Sequence, residues 1–296
     1  MICQLPELFE LWLVIQARTL LPTLELPNLK IIDVEYETHL DWLEGFCGAT
    51  LKKLEEAYFR TESEKIGDFL GAFESVAFTG SYQETLRAFG FYTSRSWSPK
   101  YSSLLTFKQL KELVIEFSCD DGCSSEVDDN VITTLSQAMP KLETLKLGGD
   151  PCQTPTGVTV NGLIGLAYRC PHLSQLRVHF QAGSLADAAT NAVQISPSDD
   201  ELVFQREECA LKNLEVGEIP ISGRSASKIA LILLQIFPRL LKVEYLDSAW
   251  ETVAATAQDF RRIGAFVHRT GETHHLTQLH FVTCYQEPKL SARALL

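Results

Sequence analysis

Cys119-Asp-Asp-Gly-Cys123 is the stretch of this sequence that comes closest to carrying chemistry. Two thiols at that spacing could supply half of a tetrahedral zinc site, since thiolates are preferred zinc ligands. A complete site needs a second Cys or His pair, and none follows at comparable spacing, so the segment reads as a solvated acidic loop. Asp120, Asp121, Asp128 and Asp129 crowd around Gly122 but lack the alternating carboxylates and closing Glu of a calcium loop. They read better as acids at a helix N-terminus, where the backbone dipole favours negative charge. His274, His275 and His280 fall together near the end of the chain, as surface histidines without convergent geometry. Cys170 and Cys209 sit where strands begin, as buried thiols rather than nucleophiles. No Gly-x-Ser-x-Gly elbow, phosphate-binding loop, His-Glu-x-x-His or Gly-x-Gly-x-x-Gly occurs. No catalytic residue, metal ligand or cofactor is therefore assigned, and the chain reads as a non-enzyme. The competing reading, a cysteine- or metal-dependent hydrolase using the Cys119 loop, would require a compact pocket with converging acid and base groups.

Composition narrows the partners. The 296 residues carry 38 acidic against 26 basic side chains, a net charge of −12, which opposes binding to nucleic-acid phosphates or anionic lipid. The longest apolar run, 229–237, is far shorter than the roughly 20 residues a membrane helix needs. The N-terminus has no basic segment, and Glu7 and Glu10 interrupt its apolar stretch, unlike a secretory signal. Eight cysteines are scattered without a compact framework and no Asn-x-Ser/Thr occurs. The expectation is an intracellular protein, cytoplasmic or nuclear, with free thiols.

The elements that would position any surface site follow from a repeat. An apolar residue, often followed by Pro, precedes Leu-x-x-apolar-x-apolar: Leu5 to Leu13, Leu26 to Val34, Met139 to Leu147, Cys170 to Val178 and Phe237 to Tyr245. Copies without the Pro are Leu51/Leu54, Leu86/Phe89/Phe91, Leu110/Leu113/Ile115, Leu211/Leu214/Val216 and Leu276/Leu279/Phe281, and the copy at Leu51 breaks the pattern at Glu56. The mean spacing is about 30 residues, at the upper end of the leucine-rich-repeat range. Apolar-x-apolar places two side chains on one face of a short strand and the residue between them on the other. Helical periodicity fills several gaps, at 127–139, 157–169, 225–236 and 250–268, with shorter helices near 40–46 and 65–73. Ser124 and Ser125 are N-cap candidates for the first of these. Pro140, Pro171 and Pro238 should end three of them, since Pro cannot continue a helix.

The expected fold is therefore α/β: a leucine-rich-repeat solenoid or horseshoe of about ten irregular repeats, with a parallel sheet on the concave face and helices on the convex face. It should span 1–284 as one domain, with an excursion loop at about 181–208 and a tail at 285–296. Its first strand starts near Met1 without a covering helix, so an upstream segment or a partner is expected to cover that end.

Val127-x-Asp-x-Val131 and Val158-Thr-x-x-Gly162-Leu, each running on to Met139-Pro or Cys170-Pro, resemble the cysteine-containing class of leucine-rich repeats. That class is found in F-box/leucine-rich-repeat proteins, and the long, loose, Pro-marked units are most similar to the fungal members. The resemblance implies substrate recruitment for an SCF-type ubiquitin ligase, with a Skp-type adaptor as partner only if an F-box lies upstream. Leu5-Pro-Glu-Leu is in register with the repeat and no F-box helices follow it. The regular Asn ladder of the family is also missing, which predicts irregular loops.

The repeat register lays out the sheet's free face. Successive strands should present Trp12, Asp33, Glu55, Gly90, Val114, Lys146, Arg177, Glu215, Glu244 and His280. Beside these run Val14, Glu35, Ala57, Tyr92, Glu116, Gly148, His179, Gly217, Leu246 and Val282. Lys146, Arg177 and His179 would form a basic island flanked by Glu116, Glu215 and Glu244, able to grip an acidic segment of another protein. An ordinary mixed surface is the alternative. The function expected is a protein-interaction module, with a structural scaffold or inhibitor unconnected to a ligase as the second reading.

Overall fold

The computed structural model describes residues 3–4, 7–15, 24–37, 51–62, 69–80, 83–94, 100–117, 127–148, 157–190, 209–216, 221, 225–245 and 248–270. Its strands are β1 (Cys3–Gln4), β2 (Glu10–Ile15), β3 (Leu24–Glu25), β4 (Ile31–Tyr36), β5 (Glu56–Thr61), β6 (Ala88–Thr93), β7 (Glu112–Phe117), β8 (Thr144–Leu147), β9 (Gln175–Val178), β10 (Asn213–Val216) and β11 (Lys242–Tyr245). The helices are α1 (Phe69–Gly80), α2 (Asp129–Ala138), α3 (Val160–Arg169), α4 (Ala182–Thr190), α5 (Ala226–Ile236) and α6 (Ala249–Thr270), with a 3-10 turn at Tyr101–Leu104.

β2 and β4 to β11 form one nine-stranded parallel sheet in chain order, not closed on itself, and β1 pairs with β3 in a separate two-stranded ribbon. One face of the large sheet supplies Ile32, Val34, Phe59, Phe89, Phe91, Leu113, Leu145, Leu176 and Leu214 to a core that also takes in Ile132 and Leu135 of α2, Leu163 and Leu166 of α3, and Ile229 and Leu233 of α5. Parallel pairing forces each connection to cross back over the sheet, and helices crossing on one side bury one face.

The phrase around each Pro is a structural unit. α2, α3 and α5 end at the buried residues Met139, Cys170 and Phe237, whose N–H groups donate back to Leu135, Leu166 and Leu233. Pro follows each cap, and Leu142, Leu173 and Leu240 then donate to the carbonyls of Met139, Cys170 and Phe237 at 3.1–3.2 Å. The same turn occurs at Leu26/Leu29 and, without Pro, at Leu51/Leu54 and Phe107/Leu110.

That turn corrects the frame of the third repeat. Leu54 is equivalent to Leu29 and Leu142, so the strand apolars are Ala57 and Phe59, paired with Ile32 and Val34. Glu56 then points to the opposite face, and the break in the pattern disappears. The helix caps also differ from expectation. Asp128, rather than Ser124 or Ser125, accepts from Val131 N at 2.8 Å to cap α2. The short helix expected near 40–46 and the tenth strand near 276–281 lie outside the described residues, as do Cys119, Cys123 and His274, His275 and His280. Of the excursion expected at about 181–208, residues 182–190 form α4, and 191–208 are outside the described residues.

By Cα proximity the chain divides into two compact units, 1–257 and 258–296. The described part of the second is the later portion of α6, with an Asp259–Arg262 ion pair one helical turn apart at 3.6 Å.

Candidate functional site

The face opposite the helices is built from three rows of side chains in register across the strands. The first row is Glu10, Ile31, Glu56, Ala88, Glu112, Thr144, Gln175, Asn213 and Lys242; the second is Trp12, Asp33, Tyr58, Gly90, Val114, Lys146, Arg177, Glu215 and Glu244. The third begins Val14, Glu35, Arg60, Tyr92, Glu116, and continues through Gly148 and His179 just past their strands. Tyr58 and Arg60 thus stand where Glu55 and Ala57 were expected, while Gly217, Leu246, His280 and Val282 lie outside the described residues. Successive strands are about 4.8 Å apart, so each row is a line of side-chain neighbours.

Lys146, Arg177 and Glu215 are brought together as the repeat predicted, but as one compensated network. Arg177 reaches Glu116 at 3.4 Å and Glu215 at 3.2 Å, and Lys146 reaches Glu215 at 3.2 Å. Arg177 is only 7% exposed and His179 only 5%. The imidazole lies against Gly148, whose φ of +103° suits glycine and would strain any other residue. Glu244 pairs with Lys242 at 2.7 Å, and with Lys146, Gln175, Leu176, Asn213 and Glu215 it lines a shallow depression. An acidic segment docking here would compete with carboxylates already in place.

A second cluster lies at β4 to β7, where the three-residue change of frame in β5 brings Tyr58 and Arg60 onto this face. Arg60 pairs with the 7%-exposed Asp33 at 2.5 Å, and its guanidinium lies 5.5 Å from the centre of the Tyr92 ring. The hydrogen bond to Asp33 holds the Arg60 guanidinium above its ordinary pKa. Tyr58 donates its hydroxyl to Glu56 at 3.2 Å. Both tyrosine rings lie over Gly90: a Cβ there would come within 2.6 Å of Tyr58 and 2.8 Å of Tyr92. Burial and the neighbouring carboxylates Glu112 and Glu56 raise the Tyr58 hydroxyl, and burial with Glu116 and Glu112 raises that of Tyr92. Burial also raises the Glu112 carboxyl, the charge of Glu56 adds to this, and Lys146 opposes it.

Two further features complete the inventory. Phe9, Trp12 and Val14, at 50%, 72% and 64% exposure, form the apolar end of the sheet at β2. Cys170 and Cys209 are free and buried. The Cys170 thiol is pushed up to about 12 by burial and lies 3.7 Å from the Met139 carbonyl. Among the described residues no group of three or more His, Cys, Asp or Glu side chains could hold a metal ion, and no helix is long and apolar enough to cross a membrane.

The class these observations define is an α/β protein with one open parallel sheet, whose polar face carries cross-strand ion pairs and tyrosines. No protein family and no curated protein matches this chain.

Proposed function

We propose that this protein is a leucine-rich-repeat solenoid of the cysteine-containing class and that it holds another protein against the polar face of its sheet. The observation that carries the reading is the contrast between the two faces. One is sealed by helices into a single core, while the other presents ordered side chains from nine adjacent strands. Extended faces made by repeats suit protein recognition, because each strand adds side chains without remodelling its neighbours. The buried thiol at the end of α3, followed by Pro171, supports the repeat class. The ligase form of the reading, substrate recruitment in an SCF-type complex, is supported by the repeat resemblance alone.

The test compares proteins co-purifying with the wild-type chain and with two variants. Trp12→Ala/Glu35→Lys/Glu244→Lys alters the polar face, and Gln137→Glu/Lys228→Glu alters exposed positions on α2 and α5. Partners lost with the first variant and kept with the second would support the reading. Partners kept by both, or lost equally from both, would overturn it. Recovery of a Skp-type adaptor and a cullin would support the ligase form, and a partner set containing neither would leave an interaction module with no ligase link.

A further inference from the structure

The charges of the polar face are unevenly compensated. Among the described residues, its four lysine and arginine side chains, Arg60, Lys146, Arg177 and Lys242, each form an ion pair with a carboxylate of the same face. Glu56 and Glu112 have no such cation. They occupy the same register position on β5 and β7, either side of Ala88 on β6, with Cα atoms about 10 Å apart. Ala88 is itself buried between the two acids and Gly90 lies under the Tyr58 and Tyr92 rings, so the strip between the acids is floored by Ala88 and those rings.

The adjoining strip shows what such a border accommodates. There Arg60 places its guanidinium on Asp33 and over the Tyr92 ring. The strip over β6 has the same parts, carboxylates beside a tyrosine ring, but among the described residues no ion pair, only the more distant charge of Lys146 acting on Glu112. Two carboxylates without an ion-pair partner near an aromatic face attract a cation both by direct charge and through the ring quadrupole. The chain's net charge of −12 acts in the same direction at longer range.

We propose that the strip over β6, between Glu56 and Tyr58 on one side and Glu112 on the other, seats a lysine or arginine side chain carried by a protein partner. This rests on the protein-interaction reading and specifies the partner's chemistry: basic at this point, rather than the acidic segment that the Lys146, Arg177 and His179 positions suggested. Burial and mutual repulsion already hold the Glu112 proton more tightly than usual, and an arriving cation would relieve that repulsion.

A random linear peptide library displayed on phage provides the probe. Selection is run on the full wild-type chain, and synthetic copies of the enriched peptides are then titrated against wild type, Glu56→Gln/Glu112→Gln and Lys146→Ala. The first variant removes charge from half-buried positions without changing side-chain size, and circular dichroism checks that the fold is retained. The expected result is peptides with a shared Lys or Arg that lose at least tenfold in affinity on Glu56→Gln/Glu112→Gln and much less on Lys146→Ala. Binding should also weaken with added salt. Peptides that bind the double variant as well as wild type but weaken on Lys146→Ala, acidic ones included, would overturn this inference and leave the interaction reading standing. If no enriched peptide responds to any substitution on this face, both readings fail.

Discussion

Glu112 shows how a single residue on the polar face trades stability for an exposed charge. Its folded carboxyl titrates above the ordinary glutamate value, first through burial and then through Glu56. Between the unfolded and the folded pKa the native state holds the proton more tightly than the unfolded chain, so stability falls as pH rises through that window. Glu112→Gln should therefore stabilise the protein at pH 7, modestly because solvent screens this half-buried site, and the gain should shrink towards pH 4. Urea unfolding at the two pH values checks this, and an equal effect at both would contradict the cause given. Cys170 behaves differently because its burial is nearly complete: a thiol pushed up to about 12 has almost no thiolate at pH 8. Iodoacetamide should leave Cys170 and Cys209 unmodified in the native protein and label both in denaturant, as read by site-resolved mass spectrometry. Labelling of the native protein at the denatured rate would mean that the thiols are accessible. The residue types of the Lys146, Arg177 and Glu215 network were legible in the sequence, but its neutrality was not, because Glu116 and Arg177 meet across 61 positions of chain.

Between elements, the join of α2 to α3 is the most specific contact. Asp129, in the first turn of α2, accepts from both the N–H and the hydroxyl of Thr159, the N-cap of α3, at 2.7 and 2.6 Å. Its carboxylate lies directly against Gly162, where a Cβ would collide with it. The acid that the sequence suggests as a dipole partner within one helix therefore also fastens the next helix in place. Asp129→Ala should cost about 1–3 kcal/mol, because two hydrogen bonds to a charged acceptor are lost. Combining it with Thr159→Val should give much less than the sum of the two effects, which a double-mutant cycle in urea would measure. Additive effects would show that the contact contributes little. Gly162→Ala should destabilise through the same carboxylate, although alanine is the better helix former elsewhere. The Pro-marked turns were read correctly from their local pattern. The strand of the third repeat was misread because Leu51 and Leu54 both fit the leading Leu; Glu56 was the local sign of the wrong frame, and the pairing of β5 with β4 gives the right one.

At the scale of the sheet, every interior strand is held by two neighbours, while β2 and β11 have one each within it. Stability built from nearest-neighbour contacts should be graded along such a stack. Amide exchange is expected to be slowest in β5 to β8 and fastest in β2 and β11, and uniform protection along the stack would contradict nearest-neighbour cooperativity. Leu145→Ala, a fully buried site in β8, should cost about 2–5 kcal/mol through the cavity it leaves.

The alternation of apolar and polar residues and the Pro-marked turns were determined by the sequence alone, because each is a relation among residues within about ten positions that backbone geometry converts directly into faces and ends, and the repeat length follows from the recurrence of that phrase. What stands beside what across the strands was decided by the tertiary structure. Pairing Asp33 with Arg60, laying Tyr58 over Gly90 beside Tyr92, and leaving Glu56 and Glu112 on either side of Ala88 all require residues 24 or more positions apart to be placed side by side. A frame offset of three residues in a single repeat exchanges those neighbours, and its one local sign is the polar Glu56 at an apolar position.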